Sequence, residues 1–94
     1  MVRHVVFFRL GKNKHRRDEA VASILTMRAK IQGLRELNAG TDFMGLERSW
    51  DLALVAVFDN RQALELYDQH PEHKPVKEFL KSLGAESVSV DFED

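Results

Sequence analysis

The chain has 94 residues, of which 44% are hydrophobic and 31% are charged, and its formal net charge is −1. These values predict one small globular domain spanning residues 1–94. The nearly balanced charge argues against nucleic acid as a partner, because phosphate binding needs a basic surplus on one face. The absence of cysteine excludes disulfide bonds and thiolate metal ligands. No segment has the features of a signal peptide or a membrane span, so we expect a cytoplasmic protein that does not contact membranes.

The first half of the chain predicts a strand, a helix and a second strand. Val2 to Leu10 is β-branched and aromatic, with large apolar side chains on both of its alternating faces. Gly11 to Arg16 is polar and basic, which indicates a solvated loop. Apolar residues then recur at three- and four-residue steps as far as Ile31, and this predicts an amphipathic helix that stops at Gly33. Leu34 to Thr41 is a polar strand of the kind found at a sheet edge.

The second half predicts a central strand, a broken helix and a final strand. Asp51 to Asp59 is apolar on both faces, which is typical of a central strand. Asn60 is suited to cap the next helix, and Gly84 is suited to end the segment after its break. Glu86 to Glu93 alternates cleanly, so we expect a half-buried strand. The loop from Thr41 to Trp50 is unusually apolar and is expected to cover a cavity or contact a partner.

The element order is β-α-β-β-α-β, with the second helix divided in two. This order predicts an α+β, ferredoxin-like fold, in which an antiparallel four-stranded sheet carries helices on one face. The helices leave the other face uncovered, although that face is also apolar. Its predicted apolar residues are Val5, Phe7, Val55 and Val57. We therefore expect a homodimer formed through this sheet face, while the alternative is that the apolar loop covers it.

The break in the second helix is the segment with the most distinctive chemistry. Pro71 must end the first half of the helix, and Pro75 suits the first turn of the second half. Between Tyr67 and Pro75 lie two imidazoles, His70 and His73, and histidine exchanges protons near neutral pH. A phenol beside two imidazoles is consistent with a proton-transfer site.

A purely structural interpretation of the same break remains open. Tyr67 continues an apolar helical stripe and would then be a core residue with its hydroxyl at the rim. His70 would cap the helix end, and His73 would be an exposed corner residue. A metal site is a third interpretation, but two histidines without a defined third ligand predict zinc only weakly, so we expect no metal and no cofactor.

Four segments resemble the stress-responsive dimeric α/β-barrel (Dabb) family, and the resemblance covers nearly the whole chain. They are His4-Val5-Val6, Asp51-Leu52-Ala53-Leu54-Val55, Ala63-Leu64-Glu65-Leu66-Tyr67 and His70-Pro71-Glu72-His73. The resemblance implies a ferredoxin-like protomer and a dimer in which two sheets form a barrel. Many members have no assigned activity, whereas some relatives are small enzymes that act on polyketides.

The resemblance also implies roles for individual residues. In the polyketide branch, the residue that matches Tyr67 is an acid or orienting donor, and the one that matches His73 is a base. His70 and His4 would line or support the substrate cavity. We therefore expect a small dimeric protein that binds a small molecule between helices and sheet. The alternative is a cofactor-independent, polyketide cyclase-like lyase that uses a His/Tyr acid–base pair.

Overall fold

One antiparallel sheet of four strands organises the chain, which a computed structural model describes over residues 1–94. The strands are β1 (Val2–Arg9), β2 (Leu34–Thr41), β3 (Leu52–Phe58) and β4 (Glu86–Glu93). Their spatial order is β2-β3-β1-β4, so β1 and β3 are central and the polar β2 is an edge strand, as the sequence predicted. This is the ferredoxin-like fold.

Three α-helices pack on one face of the sheet: α1 (Arg17–Leu25), α2 (Arg61–Asp68) and α3 (Lys74–Ser82). The predicted cap of α2 is confirmed, because the Asn60 side chain accepts a hydrogen bond of 2.8 Å from the Ala63 amide. Pro75 lies in the first turn of α3, where its missing N–H costs nothing. No helix has both the length and the apolar character needed to cross a membrane.

Two predictions for the first half of the chain were wrong in detail. Gly11–Arg16 is a 3₁₀ helix rather than a loop, and α1 ends at Leu25 rather than continuing to Gly33. The residues after Leu25 form turns, in which Ala29 has a φ of 62°. Their apolar spacing still resembles a helix because Met27 and Ile31 are buried in the same core.

Gly33 has a role other than the predicted helix stop. Its φ is 86°, a region that favours glycine, and a Cβ placed there would lie 2.7 Å from the Ala63 Cβ of α2. The glycine therefore allows the start of β2 to approach α2 closely.

The hydrophobic core lies between the sheet and the helices. Alternate residues of the central strands point into it, including Val6 of β1 and Leu54 and Phe58 of β3, while Ile24 of α1 and Leu80 of α3 cover them. This packing leaves the opposite sheet face, the outer face, without helices.

Much of the outer face is apolar and exposed. Its exposed apolar residues are Phe7, Val55, Val88, Val90 and Phe92. Val57 was expected among them but is only 5% exposed. In the strand register it lies between Arg3 and Glu36, whose long side chains flank it.

The expectation of a half-buried β4 was wrong for the single chain, because every residue of this strand is exposed. β4 is an edge strand, and its apolar residues alternate onto the outer face rather than toward the helices. Its polar residues Ser87 and Ser89 face the helix side instead. The loop between β2 and β3 does not cover the outer apolar residues, and Phe43 at its tip is 92% exposed.

Candidate active site between the helices and the sheet

A cavity of about 720 Å³ opens on the helix side of the sheet. Val6 of β1 and Leu54 of β3 form part of its apolar lining, and Val76 and Leu80 of α3 contribute to another part. This mixed cavity has the size and character of a small-molecule site. All four predicted site residues line it, namely His4, Tyr67, His70 and His73.

The turn between α2 and α3 brings two of these residues together. The Tyr67 carbonyl accepts the His70 amide at 3.1 Å, and the His70 carbonyl accepts the His73 amide at 2.9 Å. The chain therefore turns tightly after α2 ends at Asp68. As a result, the rings of Tyr67 and His73 stack with centroids 4.0 Å apart and planes 17° apart. The six-residue separation in sequence becomes direct contact in the structure.

A hydrogen bond determines which nitrogen of His73 can act as a base. Its Nδ1 lies 3.0 Å from the Tyr67 carbonyl oxygen, which can only accept. Nδ1 must therefore carry a proton and donate it to this carbonyl. The neutral ring consequently has its lone pair on Nε2, the nitrogen that is able to accept a proton.

The Tyr67 side chain is buried, but its hydroxyl remains available. The ring packs against Phe58 with centroids 5.0 Å apart, and the whole residue is only 2% exposed. The phenol oxygen makes no hydrogen bond to the protein. Every fully buried side-chain oxygen or nitrogen in the structure has a hydrogen-bond partner, so the phenol oxygen is not fully buried. Because Tyr67 lines the cavity, its hydroxyl is able to donate to a ligand there.

Burial moves the pKa values of this stacked pair in opposite directions. It raises the pKa of Tyr67 to about 12, with a smaller contribution from the nearby Asp68 carboxylate. It lowers the pKa of His73, although the hydrogen bond to the Tyr67 carbonyl partly opposes that shift. At neutral pH the pair therefore consists of a protonated phenol and an unprotonated imidazole, which is the arrangement needed for an acid and a base.

His4 approaches the pair from the sheet. Its ring meets the Tyr67 ring edge to face, with centroids 5.8 Å apart. Its Nδ1 contacts the Asp91 carboxylate across the β1–β4 pairing, in which the two residues are direct partners. A carboxylate accepts only, so the His4 Nδ1 donates and its orientation is held by Asp91.

The sequence interpretation did not identify Asp91 as part of the site. The alternation of β4 placed it on a polar face, but the partner strand and register were not known. The signal was its position on the same alternating face as Ser87 and Ser89, which line the cavity.

His70 has a local structural contact as well as a place in the cavity wall. Its Nδ1 accepts the Glu72 amide at 3.0 Å, which stabilises the turn. The structure has no group of three histidine, cysteine, aspartate or glutamate side chains able to hold a metal ion.

Comparison with known proteins identifies the class of protein that this fold and cavity define. The sequence model of the stress-responsive A/B barrel domain family matches residues 2–94. The chain therefore belongs to this family, as the four segments predicted. None of the curated proteins matches the sequence.

Several solved structures share the fold over nearly the whole chain. A dimeric, ferredoxin-like protein of unknown function from Bacteroides fragilis is 25% identical, with a TM-score of 0.83, covering 99% of this chain and 95% of its own. A dimeric, ferredoxin-like protein of unknown function from Thermobifida fusca is 23% identical, with a TM-score of 0.86, covering 99% and 90%. The Arabidopsis thaliana protein At3g17210 is 19% identical, with a TM-score of 0.77, covering 100% and 95%.

Proposed function

We propose that this chain acts as a homodimer that binds a small molecule in the cavity between helices and sheet. The observation that carries the binding proposal is the cavity itself, which combines an apolar lining with polar groups that converge at the His-Tyr end (His4, Tyr67 and His73). The dimer is supported by the apolar outer face and by the dimeric state of two similar proteins. The cavity opens on the opposite side of the sheet, so pairing through the outer face leaves it accessible.

Ligand binding is tested by NMR titration of the labelled chain with medium-chain methyl ketones. We expect resonances of Val6, Leu54 and His73 to shift with one saturating affinity. The exposed loop residue Phe43 lies outside the cavity and serves as the internal reference. Uniform shifts across the chain, or none at Val6 and Leu54, would rule out the cavity as the binding site.

The second candidate function is a cofactor-independent lyase or cyclase reaction on an enolisable carbonyl compound. It is favoured by one observation, the stacking of the Tyr67 phenol on His73 with Nε2 left as the basic nitrogen. In this reaction Nε2 removes a proton from the carbon beside the carbonyl. The Tyr67 hydroxyl donates to the developing enolate oxygen, and the backbone carbonyl on Nδ1 stabilises the imidazolium. The imidazolium then returns the proton to carbon or oxygen.

Deuterium exchange at the carbon beside the carbonyl separates this reaction from simple binding. We expect the wild-type chain to accelerate exchange in 3-oxo esters and methyl ketones, and His73→Gln to lose about 100-fold or more of that acceleration. His15→Gln is the matched control, because His15 is exposed and lies outside the cavity. If His73→Gln retains the wild-type rate, the base assignment is wrong. Binding without any acceleration would leave only the ligand-binding function.

A cytoplasmic location stays a prediction from the sequence.

A further inference from the structure

The residues that line the cavity extend along α3 and along the paired strands β1 and β4. His73 precedes α3, and Lys81 lies eight residues further along, which corresponds to about 12 Å at 1.5 Å per residue. The paired strands β1 and β4 extend alongside α3. His4 pairs with Asp91 near the His-Tyr end of the cavity, and Phe8 pairs with Ser87 four residues further along β1. The cavity therefore runs from the His-Tyr end to a second end beside Lys81.

The second end, which we call the lysine end, consists of Lys81 from α3 and Ser87 from β4, while Ser89 pairs with Val6 and lies between the two ends. Neither serine hydroxyl is engaged in a hydrogen bond with another protein group, and Lys81 forms no ion pair. Lys77, one turn earlier on the same wall, differs because its ammonium lies 3.8 Å from the Asp68 carboxylate. The lysine end thus presents one ammonium without an ion pair and the Ser87 hydroxyl to the cavity, whereas Lys74, which also forms no ion pair, lies beside His73 at the other end.

We propose that the lysine end binds a carboxylate, so that the ligand is an elongated keto acid with its carbonyl at the His-Tyr end. This inference rests on the proposed ligand-binding function. One ammonium balances the single charge of a carboxylate, and the Ser87 hydroxyl is able to donate to one of its oxygens. The apolar residues Val6 and Leu54 between the two ends suit a hydrocarbon chain.

Glu78 is the group on this wall that opposes an anion. It lies one turn before Lys81 and lines the cavity, but it forms no ion pair with that lysine. A ligand carboxylate at this end would be attracted by Lys81 and repelled by Glu78. This arrangement gives a modest preference for an acid, and removal of the Glu78 charge should increase that preference.

The test compares two probes that differ at one end, where one carries a carboxylate and the other an uncharged methyl ester. The labelled full chain is titrated with ω-acetylnonanoate, a methyl ketone with a carboxylate at the far end of its chain, and with the methyl ester of the same compound. We expect the acid to bind about fivefold more tightly than the ester, the preference that one exposed ion pair provides. Lys81→Met should abolish this difference and leave the affinity for the ester unchanged.

Two further variants make the assignment specific. Lys30→Met is the matched control, because Lys30 is exposed and does not line the cavity, and it should retain the preference for the acid. Glu78→Gln should tighten binding of the acid alone. Equal affinity of the wild-type chain for acid and ester, or a preference that survives Lys81→Met, would overturn the carboxylate site and leave ligand binding intact. Failure of both probes to bind would overturn both proposals.

Discussion

Tyr67→Phe separates the chemical role of the phenol from its structural role. The substitution removes one oxygen that has no hydrogen-bond partner in the protein and keeps the ring contacts with Phe58 and His73. No buried group loses a partner, and no cavity is created. We therefore expect the free energy of unfolding in urea to stay within about 0.5 kcal/mol of the wild-type value.

Tyr67→Ala provides the structural comparison. It removes a ring that is only 2% exposed and lies within the core cluster. Loss of a buried aromatic side chain costs about 3–5 kcal/mol, since the transfer free energy is lost and the space is incompletely filled. The difference between the two variants measures how much of the contribution of Tyr67 to the free energy of unfolding comes from its ring.

The same pair of variants probes the chemistry of the cavity. If the hydroxyl stabilises an enolate, Tyr67→Phe should slow deuterium exchange by about 100-fold to 1,000-fold, which is typical of losing one oxyanion donor. NMR titration should show that the pKa of His73 stays lowered in Tyr67→Phe, because the ring still buries the imidazole. It should rise toward its ordinary value in Tyr67→Ala, which exposes the imidazole to water.

Two results would refute this reasoning. A loss of more than about 2 kcal/mol in Tyr67→Phe would mean that the hydroxyl has a structural partner. Undiminished exchange in a stable Tyr67→Phe protein, where the wild type is active, would show that the phenol takes no part in the reaction.

Three other predictions concern the pH dependence, the outer face and the turn before β2. The pKa of His73 is lower in the folded chain than in the unfolded chain, so the unfolded chain binds a proton first as pH drops. The free energy of unfolding, measured in urea, should therefore fall below about pH 6.5, and His73→Gln should reduce that fall. An unchanged dependence of the free energy of unfolding on pH in His73→Gln would contradict this prediction. In sedimentation equilibrium, Val90→Asp on the outer face should give a monomer where the wild type gives a dimer. Leu66→Asp should leave the dimer intact, because Leu66 is about as exposed as Val90 but lies on α2. A wild-type monomer at micromolar concentration would refute the dimer. Gly33→Ala should destabilise the chain by about 2–4 kcal/mol, and Gly84→Ala, which has positive φ but open space, by about 1 kcal/mol; equal losses would exclude a clash at Gly33.

Local patterns in the sequence predicted most of the fold because each arises from neighbouring residues. Apolar alternation identified the central strands β1 and β3, and the two prolines located the break between α2 and α3. The cap at Asn60 was also predictable, since it depends on a hydrogen bond only three residues along the chain. Where a local pattern fits two conformations, as between Leu25 and Gly33, the same reasoning predicted too long a helix.

The candidate site was only partly accessible to such reasoning. Tyr67 and His73 were identified from the sequence, and the structure places their rings in contact. The lone-pair position on His73 was not predictable, because it depends on a carbonyl that the turn brings to Nδ1. Asp91 was missed since its contact with His4 joins residues 87 positions apart.

The sequence by itself determined the order of elements, the two-sided apolar character of the central strands and the break between the last two helices. Those features follow from side-chain periodicity and from the restricted backbone of proline. The tertiary structure decided which face of β4 meets the helices, which charges remain unpaired at Lys81, and which groups share one cavity. These depend on strand register and long-range packing, and a shift of one residue in β4 would exchange its polar face for its apolar one.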